Sequence, residues 1–124
     1  MKHLTIIVPE GQTTLSCVSC IVGVYEIFAT ANSYWNEKGK DDLFRIELAG
    51  VSEQTEFNNG MLLLKYLKPI STIETTDLVL IPSLIPDFQQ ITEGNRMLAD
   101  WVAKQYRNGA EVGSMCTGIY MLAS

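Results

Sequence analysis

Apolar and polar positions along this chain fall into a repeating order. Leu4 to Val8 is a short β-branched apolar run closed by Pro9-Glu10-Gly11, which predicts a buried strand ending in a loop. From about Ser16 to Tyr34 the apolar residues Val18, Ile21, Val22, Tyr25, Ile27, Phe28 and Ala31 return near helical spacing, with Ser16 placed as N-cap and Gly39 beyond the end. Asn36 to Asp42 is polar and loop-like, and Leu43 to Ala49 alternates as a second strand. Between Gln54 and Leu67, Asn58-Asn59-Gly60 is a hairpin-turn signal, with Met61 to Tyr66 running onward as a strand and Pro69 to Thr76 as a connection. Asp77 to Pro82 repeats the design of the first strand, and a loop rich in Ser, Pro and Asp follows. Asn95 to Arg107 is amphipathic, with Met97, Leu98, Trp101, Val102 and Tyr106 on one face and Asn108-Gly109 as the stop. Ala110 to Ser114 is the last strand, and Thr117 onward the last helix.

Apolar strands alternating with amphipathic helices, plus one hairpin, imply an α/β fold: an open, mostly parallel sheet with helices on both faces. In such sheets ligands bind outside the carboxyl ends of the strands, at a topological switch point. The ends that matter are Val8 to Gly11, Pro82 to Pro86 and Ser114 to Gly118, which bring Glu10, Gly11 and Ser83 to one crevice. The chain contains no internal repeat, low-complexity tract or linker.

Gly113-Ser114-Met115-Cys116-Thr117-Gly118 is the most informative segment. Small residues on both sides of a central Cys, at a strand-to-helix junction, are what a nucleophile elbow requires, because bulk beside so tight a turn would clash. A thiol there lies near the first amides of the next helix, which favour thiolate over thiol. The alternative is a small buried Cys in an ordinary turn.

At 124 residues, 47% of them hydrophobic and 19% charged, the chain fits one globular domain with a real core. No apolar run approaches the roughly 20 residues that span a bilayer, and the N-terminus lacks a signal-peptide layout, so a cytoplasmic protein without membrane contact is expected. Three cysteines, Cys17, Cys20 and Cys116, argue against a disulfide framework. Cys17 and Cys20 have Cys-x-x-Cys spacing, but a zinc site needs two more ligands and His3 is the only histidine; no metal or cofactor is expected. A net charge of −5 leaves no basic face for phosphate, so the chain alone is not expected to bind nucleic acid.

Across Val8 to Asn32, Asp77 to Pro82 and Ala110 to Ser124 the chain resembles the PfpI-type, class I glutamine amidotransferase-like superfamily, with flavodoxin-like architecture. It is most similar to the N-terminal sensor domain of AraC-type transcriptional regulators. Glu111 to Gly118, running into Leu122-Ala123, resembles that group's elbow, where Thr commonly follows the Cys and protease-like members place His. Gly23-Val24-Tyr25-Glu26-Ile27-Phe28, closing in Ala31-Asn32, resembles its first helix. Two departures matter. The resemblance brings Cys20 to the position where catalytic members carry the Asp or Glu that contacts the elbow cysteine, and Cys20 supplies no such charge. Members also continue past this helix, and the regulators then carry paired helix-turn-helix units, so the 124 residues are expected to be one domain, 1–124, incomplete at its C-terminus.

Cys116 also lacks a base. His3 starts the first strand, at the opposite end from the crevice, while Glu10 and Asp87 are at the right end but read as solvated loop residues. The resemblance and the vacant acid position together favour a catalytically lapsed, ligand-sensing domain of an AraC-type regulator. It would bind a small-molecule effector through Glu10, Gly11, Cys20, Ser83, Cys116, Thr117 and Gly118. It would act as a homodimer, with DNA bound only through a C-terminal segment absent here. Two alternatives remain: a cysteine-dependent hydrolase or hydratase, isonitrile hydratase-like or amidase-like, with Cys116 as nucleophile and elbow amides stabilising the developing anion, and a thiol redox sensor using Cys20 and Cys116.

Overall fold

The computed structural model describes residues 1–10, 14–84 and 93–123. In chain order its elements are β1 (Lys2–Ile7), α1 (Leu15–Glu37), β2 (Phe44–Gly50), β3 (Thr55–Phe57), β4 (Leu62–Leu64), β5 (Lys68–Pro69), β6 (Leu78–Ile81), α2 (Glu93–Arg107), β7 (Glu111–Ser114) and α3 (Ile119–Ala123). Single 3₁₀ turns lie at Ile70–Thr72 and Cys116–Gly118.

Leu4, Thr5, Ile6 and Ile7 are all fully buried, as a central parallel strand covered on both faces must be. β1 pairs in parallel with β2 (Leu4 opposite Ile46) and with β6 (Leu4 opposite Leu78). β5 and β7 lie outside these, giving the order β5-β2-β1-β6-β7, parallel throughout, while β3 and β4 form a separate antiparallel hairpin. From β1 the chain moves outward to β2 on one side and β6 on the other, so the switch point lies at the carboxyl ends of β1 and β6. The open parallel α/β sheet expected from the alternating pattern is the observed architecture.

Alternation along β1 divides the core. Leu4, Ile6 and Val8 pack with Cys17 and Ile21 of α1 and with Phe57 of the hairpin. On the other face Ile7 joins Ala49, Val79 and Ile81 under Leu98, Trp101 and Val102 of α2. In α2 the buried stripe is Leu98, Trp101, Val102 and Gln105; Met97 and Tyr106, which the periodicity placed with them, are exposed. Gln105 takes a core position because both ends of its amide are bonded, donating to the Glu74 carbonyl at 3.0 Å and accepting from the Thr76 N–H at 3.2 Å. Trp101 Nε1 donates to the Ile73 carbonyl at 3.2 Å, so α2 fixes the connection between β5 and β6.

α1 starts one residue earlier than Ser16. Thr14 is the cap: its backbone is extended (φ −94°, ψ 165°) and its side chain accepts from the Cys17 N–H. The helix ends where Gly39, at φ +74°, turns its N–H onto the Asn36 carbonyl at 2.8 Å. At 23 residues with a mean hydropathy of 1.4 over its most apolar stretch, α1 is long and apolar enough, by length and composition, to cross a membrane, which corrects the expectation that no run reaches that length. Scattered Ser, Thr and Asn break the run in sequence while adding little charge. Here the helix lies on the sheet through Cys17 and Ile21, while Val22, Tyr25 and Ile27 stay exposed.

In the hairpin, Asn58, Asn59 and Gly60 all adopt positive φ, as the turn signal requires. β4 stops short of Tyr66 because that residue also takes positive φ (61°), which ends a strand, and it stands 94% exposed. The predicted connection after it contains the two-residue β5 and a 3₁₀ turn.

One polar side chain joins α1 to β2. Asn32 Oδ1 accepts from the Leu43 and Phe44 N–H groups at 3.0 and 2.9 Å, and Nδ2 donates to the Phe44 carbonyl at 2.8 Å. Phe28 meets the Phe44 ring edge-on beside it, with centroids 4.8 Å apart. Asn32→Ala is expected to lower stability by about 1–3 kcal/mol in urea unfolding, since three backbone groups lose their partner. A change of a few tenths would show that water replaces the clamp.

Candidate functional site

β7 delivers the elbow. Its last residue, Ser114, pairs with Ile81 of β6, and the Met115 N–H donates to the Ile81 carbonyl at 2.9 Å. The next residue, Cys116, adopts φ +49°, a left-handed conformation uncommon for a residue with a side chain. A 3₁₀ turn over Cys116–Gly118 closes with the Gly118 N–H on the Met115 carbonyl at 2.9 Å. The reversal leaves Cys116 exposed, so the turn has an elbow's geometry and not that of a buried cysteine in an ordinary connection.

The elbow rests on β6. A Cβ on Gly118 would lie 2.4 Å from the Pro82 carbonyl oxygen and 2.7 Å from that of Ile81, both backbone atoms, so only glycine permits the approach. Thr117 locks the contact. Its hydroxyl donates to the Leu84 carbonyl at 2.6 Å and accepts from the Leu84 N–H at 2.8 Å. With its single proton spent there, it accepts from the buried Ser83 hydroxyl, 2.9 Å away. Ser83, Thr117 and Gly118 are thus brought together beside Cys116. Leu84 joins them only through its backbone, which side-chain pattern could not reveal.

Glu10 arrives at the correct end of β1 but is turned elsewhere. Its carboxylate accepts from the Ser52 hydroxyl at 2.6 Å. Its peptide is gripped by Asn95 of α2, which accepts from the Glu10 N–H at 2.9 Å and donates to its carbonyl at 3.1 Å. Asn95 was visible in sequence only as the start of a helix. Gly11, Pro86 and Asp87 lie outside the described residues.

Cys20 sits half-buried in the first turns of α1. Its neighbour Cys17 is fully covered; burial, with a further contribution from Cys20, pushes its thiol up to about 12, so Cys17 stays protonated and inert. His3 lies at the opposite end of the sheet, bonded to Glu47 at 2.6 Å and beside the Thr75 carbonyl at 3.3 Å. Among the described residues, Cys116 shares no hydrogen bond or ion pair with a carboxylate or an imidazole. What the site offers is an exposed thiol on a rigid turn, with its hydroxyl and backbone surroundings held in fixed positions.

Gly118→Ala is expected to destabilise the protein by about 1–3 kcal/mol, because the added methyl meets two carbonyl oxygens that cannot retreat without shifting β6. Thermal unfolding of the variant against wild type measures it; an unchanged midpoint would show that the elbow can move off β6.

No protein-family model matches the chain, and no curated protein matches it by sequence. Solved structures do. A protein from Vibrio parahaemolyticus assigned as a transcriptional regulator superposes with a TM-score of 0.76 at 16% identity, over 99% of this chain and 60% of its own. An AraC family transcriptional regulator from Pseudomonas putida superposes with a TM-score of 0.70 at 14% identity, over 98% of this chain and 60% of its own. A protein from Bacteroides thetaiotaomicron assigned as protease I gives 0.64 at 17% identity, over 98% of this chain and 66% of its own. The chain thus spans about 60% of the length of the two regulators. Parallel sheet, elbow and these likenesses together show that the chain shares the fold of these three proteins.

Proposed function

We propose that this chain is the ligand-sensing domain of an AraC-type transcriptional regulator, in which the elbow crevice serves as a small-molecule site and the chemistry has lapsed. The observation that carries the reading is the company Cys116 keeps. Position 20 holds a thiol, the Glu10 carboxylate is committed to Ser52, and His3 is committed to Glu47 at the far end of the sheet. Among the described residues nothing is bonded to Cys116 that could take its proton, and a thiol so placed is a poor nucleophile, but an elbow clamped by Thr117, Ser83 and Gly118 is a preorganised wall for a ligand. The fold shared with two regulators agrees with this reading, although fold alone does not assign function. DNA binding is assigned to a helix-turn-helix segment outside these 124 residues, since a net charge of −5 repels phosphate. The protein acts in the cytoplasm.

A cysteine hydrolase or hydratase is the second reading. It is favoured by the strained, exposed Cys116 and by the fold shared with a protein assigned as protease I. Turnover decides between them. The purified chain is expected to show no hydrolysis or hydration of amides, esters or isonitriles that depends on Cys116. A measured turnover that Cys116→Ser abolishes would establish the enzyme.

The sensor is proposed to pair with a second copy. Val22, Tyr25 and Ile27 of α1, with Met61, Leu62 and Leu63 of the hairpin, are exposed apolar surface that favours association. Sedimentation at micromolar concentration is expected to give a dimer that dissociates on dilution; a monomer at all concentrations would overturn the pairing.

A further inference from the structure

At the end of the sheet opposite the elbow, on the face that α2 covers, a cavity of about 280 Å³ opens between the strands and the segment Thr72 to Thr75. His3 of β1, Arg45 of β2 and Lys68 of β5 line it, three nitrogen-bearing side chains from three strands. Glu47 stands among them as a common acceptor. Its Oε2 accepts from His3 Nε2 at 2.6 Å, and its Oε1 accepts from Lys68 Nζ at 3.1 Å and lies 3.9 Å from Arg45 Nε. Burial opposes ionisation of Glu47, but the hydrogen bonds from Lys68 and His3, with their charges, outweigh it and hold the carboxyl below its ordinary range.

Both Glu47 oxygens are therefore engaged, while Lys68 and Arg45 keep unspent N–H donors among the described residues. Lys68 spends one of its three N–H bonds on Glu47. Arg45 has five, yet its contacts are the long one to Glu47 and one of 3.4 Å from Nη2 to His3 Nδ1. Thr72 gives its own proton to the Pro69 carbonyl at 2.7 Å, so it competes for no ligand acceptor. The opposite wall is held in advance, because Gln105 and Trp101 bond the backbone of Ile73, Glu74 and Thr76. Unspent N–H donors on two cationic side chains beside a fixed wall fit a small oxyanion. The Glu74 carboxylate on the lining and the net charge of −5 exclude an extended polyanion.

We propose that this cavity binds a small oxyanion, a free phosphate or a short-chain carboxylate, held by the Arg45 guanidinium and the Lys68 ammonium. The site is separate from the elbow and independent of the function assigned to it.

The test is a titration of the ¹⁵N-labelled chain at constant ionic strength with sodium phosphate, with sodium succinate and, as control, with sodium chloride. Saturable amide shifts are expected at His3, Arg45, Lys68 and Thr72 to Thr75 with at least one oxyanion and not with chloride. The anion that saturates at lower concentration identifies the class. Arg45→Gln and Lys68→Gln, both at solvent-accessible positions, are each expected to weaken binding tenfold or more while the circular dichroism spectrum holds. Equal response to chloride, no saturation with either oxyanion, shifts centred away from these residues, or unchanged affinity in the two folded variants would each overturn the proposal. The mapping on the unaltered protein decides the matter even if a variant fails to fold.

Discussion

The close approach of Gly118 to the carbonyls of Ile81 and Pro82 is the constraint on which the elbow depends. It places the backbone after β7 directly on the end of β6, and everything nearby follows from that distance. Cys116 must take a left-handed conformation to enter the turn, which lifts its side chain into solvent. Thr117 comes within reach of Ser83 and Leu84 and spends its hydroxyl there completely. Such strain persists only where neighbours hold it, and here the holding contacts are backbone carbonyls and a saturated hydroxyl, none of which can move alone.

That rigidity is compatible with two kinds of chemistry, and the proposed sensor rests on the side chains around the elbow. An elbow cysteine becomes a nucleophile when something nearby takes its proton. Among the described residues the candidate acid and the imidazole are used elsewhere: Glu10 joins the end of β1 to Ser52 and α2, and His3 joins β1 to Glu47 and the β5–β6 connection. These two groups thus serve to hold strand ends together. The ion-rich cluster lies at the amino ends of the strands and the hydroxyl-lined elbow at the carboxyl ends, so the two ends of one sheet have different chemistry.

Much of this was legible in the sequence. The largely apolar runs of β1 and β6 announce a parallel sheet because both their faces are covered, and the small residues around Cys116 announce a tight turn because nothing larger fits. Asn58-Asn59-Gly60 was readable for the same local reason, since all three positions need positive φ. What sequence could not show was set by partners distant along the chain. Gln105 is buried only because the peptide groups of Glu74 and Thr76 wait for its amide, and no periodicity rule places a glutamine in a core. Thr14 displaced Ser16 as the cap because both residues are suitable and only the backbone's extended turn at Thr14 separates them. Glu10 was found at the right strand end, but its commitment to Ser52 depends on how the ends of β1 and β2 are spaced.

The central claim is that the elbow crevice binds a small molecule and leaves it unchanged. A fragment library screened against the ¹⁵N-labelled chain, with each bound compound recovered and weighed by mass spectrometry, tests it directly. The account predicts that binders shift the amides of Ser83, Leu84, Cys116 and Thr117, in Cys116→Ser as in wild type, and are recovered intact. Binders recovered as hydrolysed or hydrated product, or carried on the Cys116 sulfur as a turnover intermediate, would contradict it.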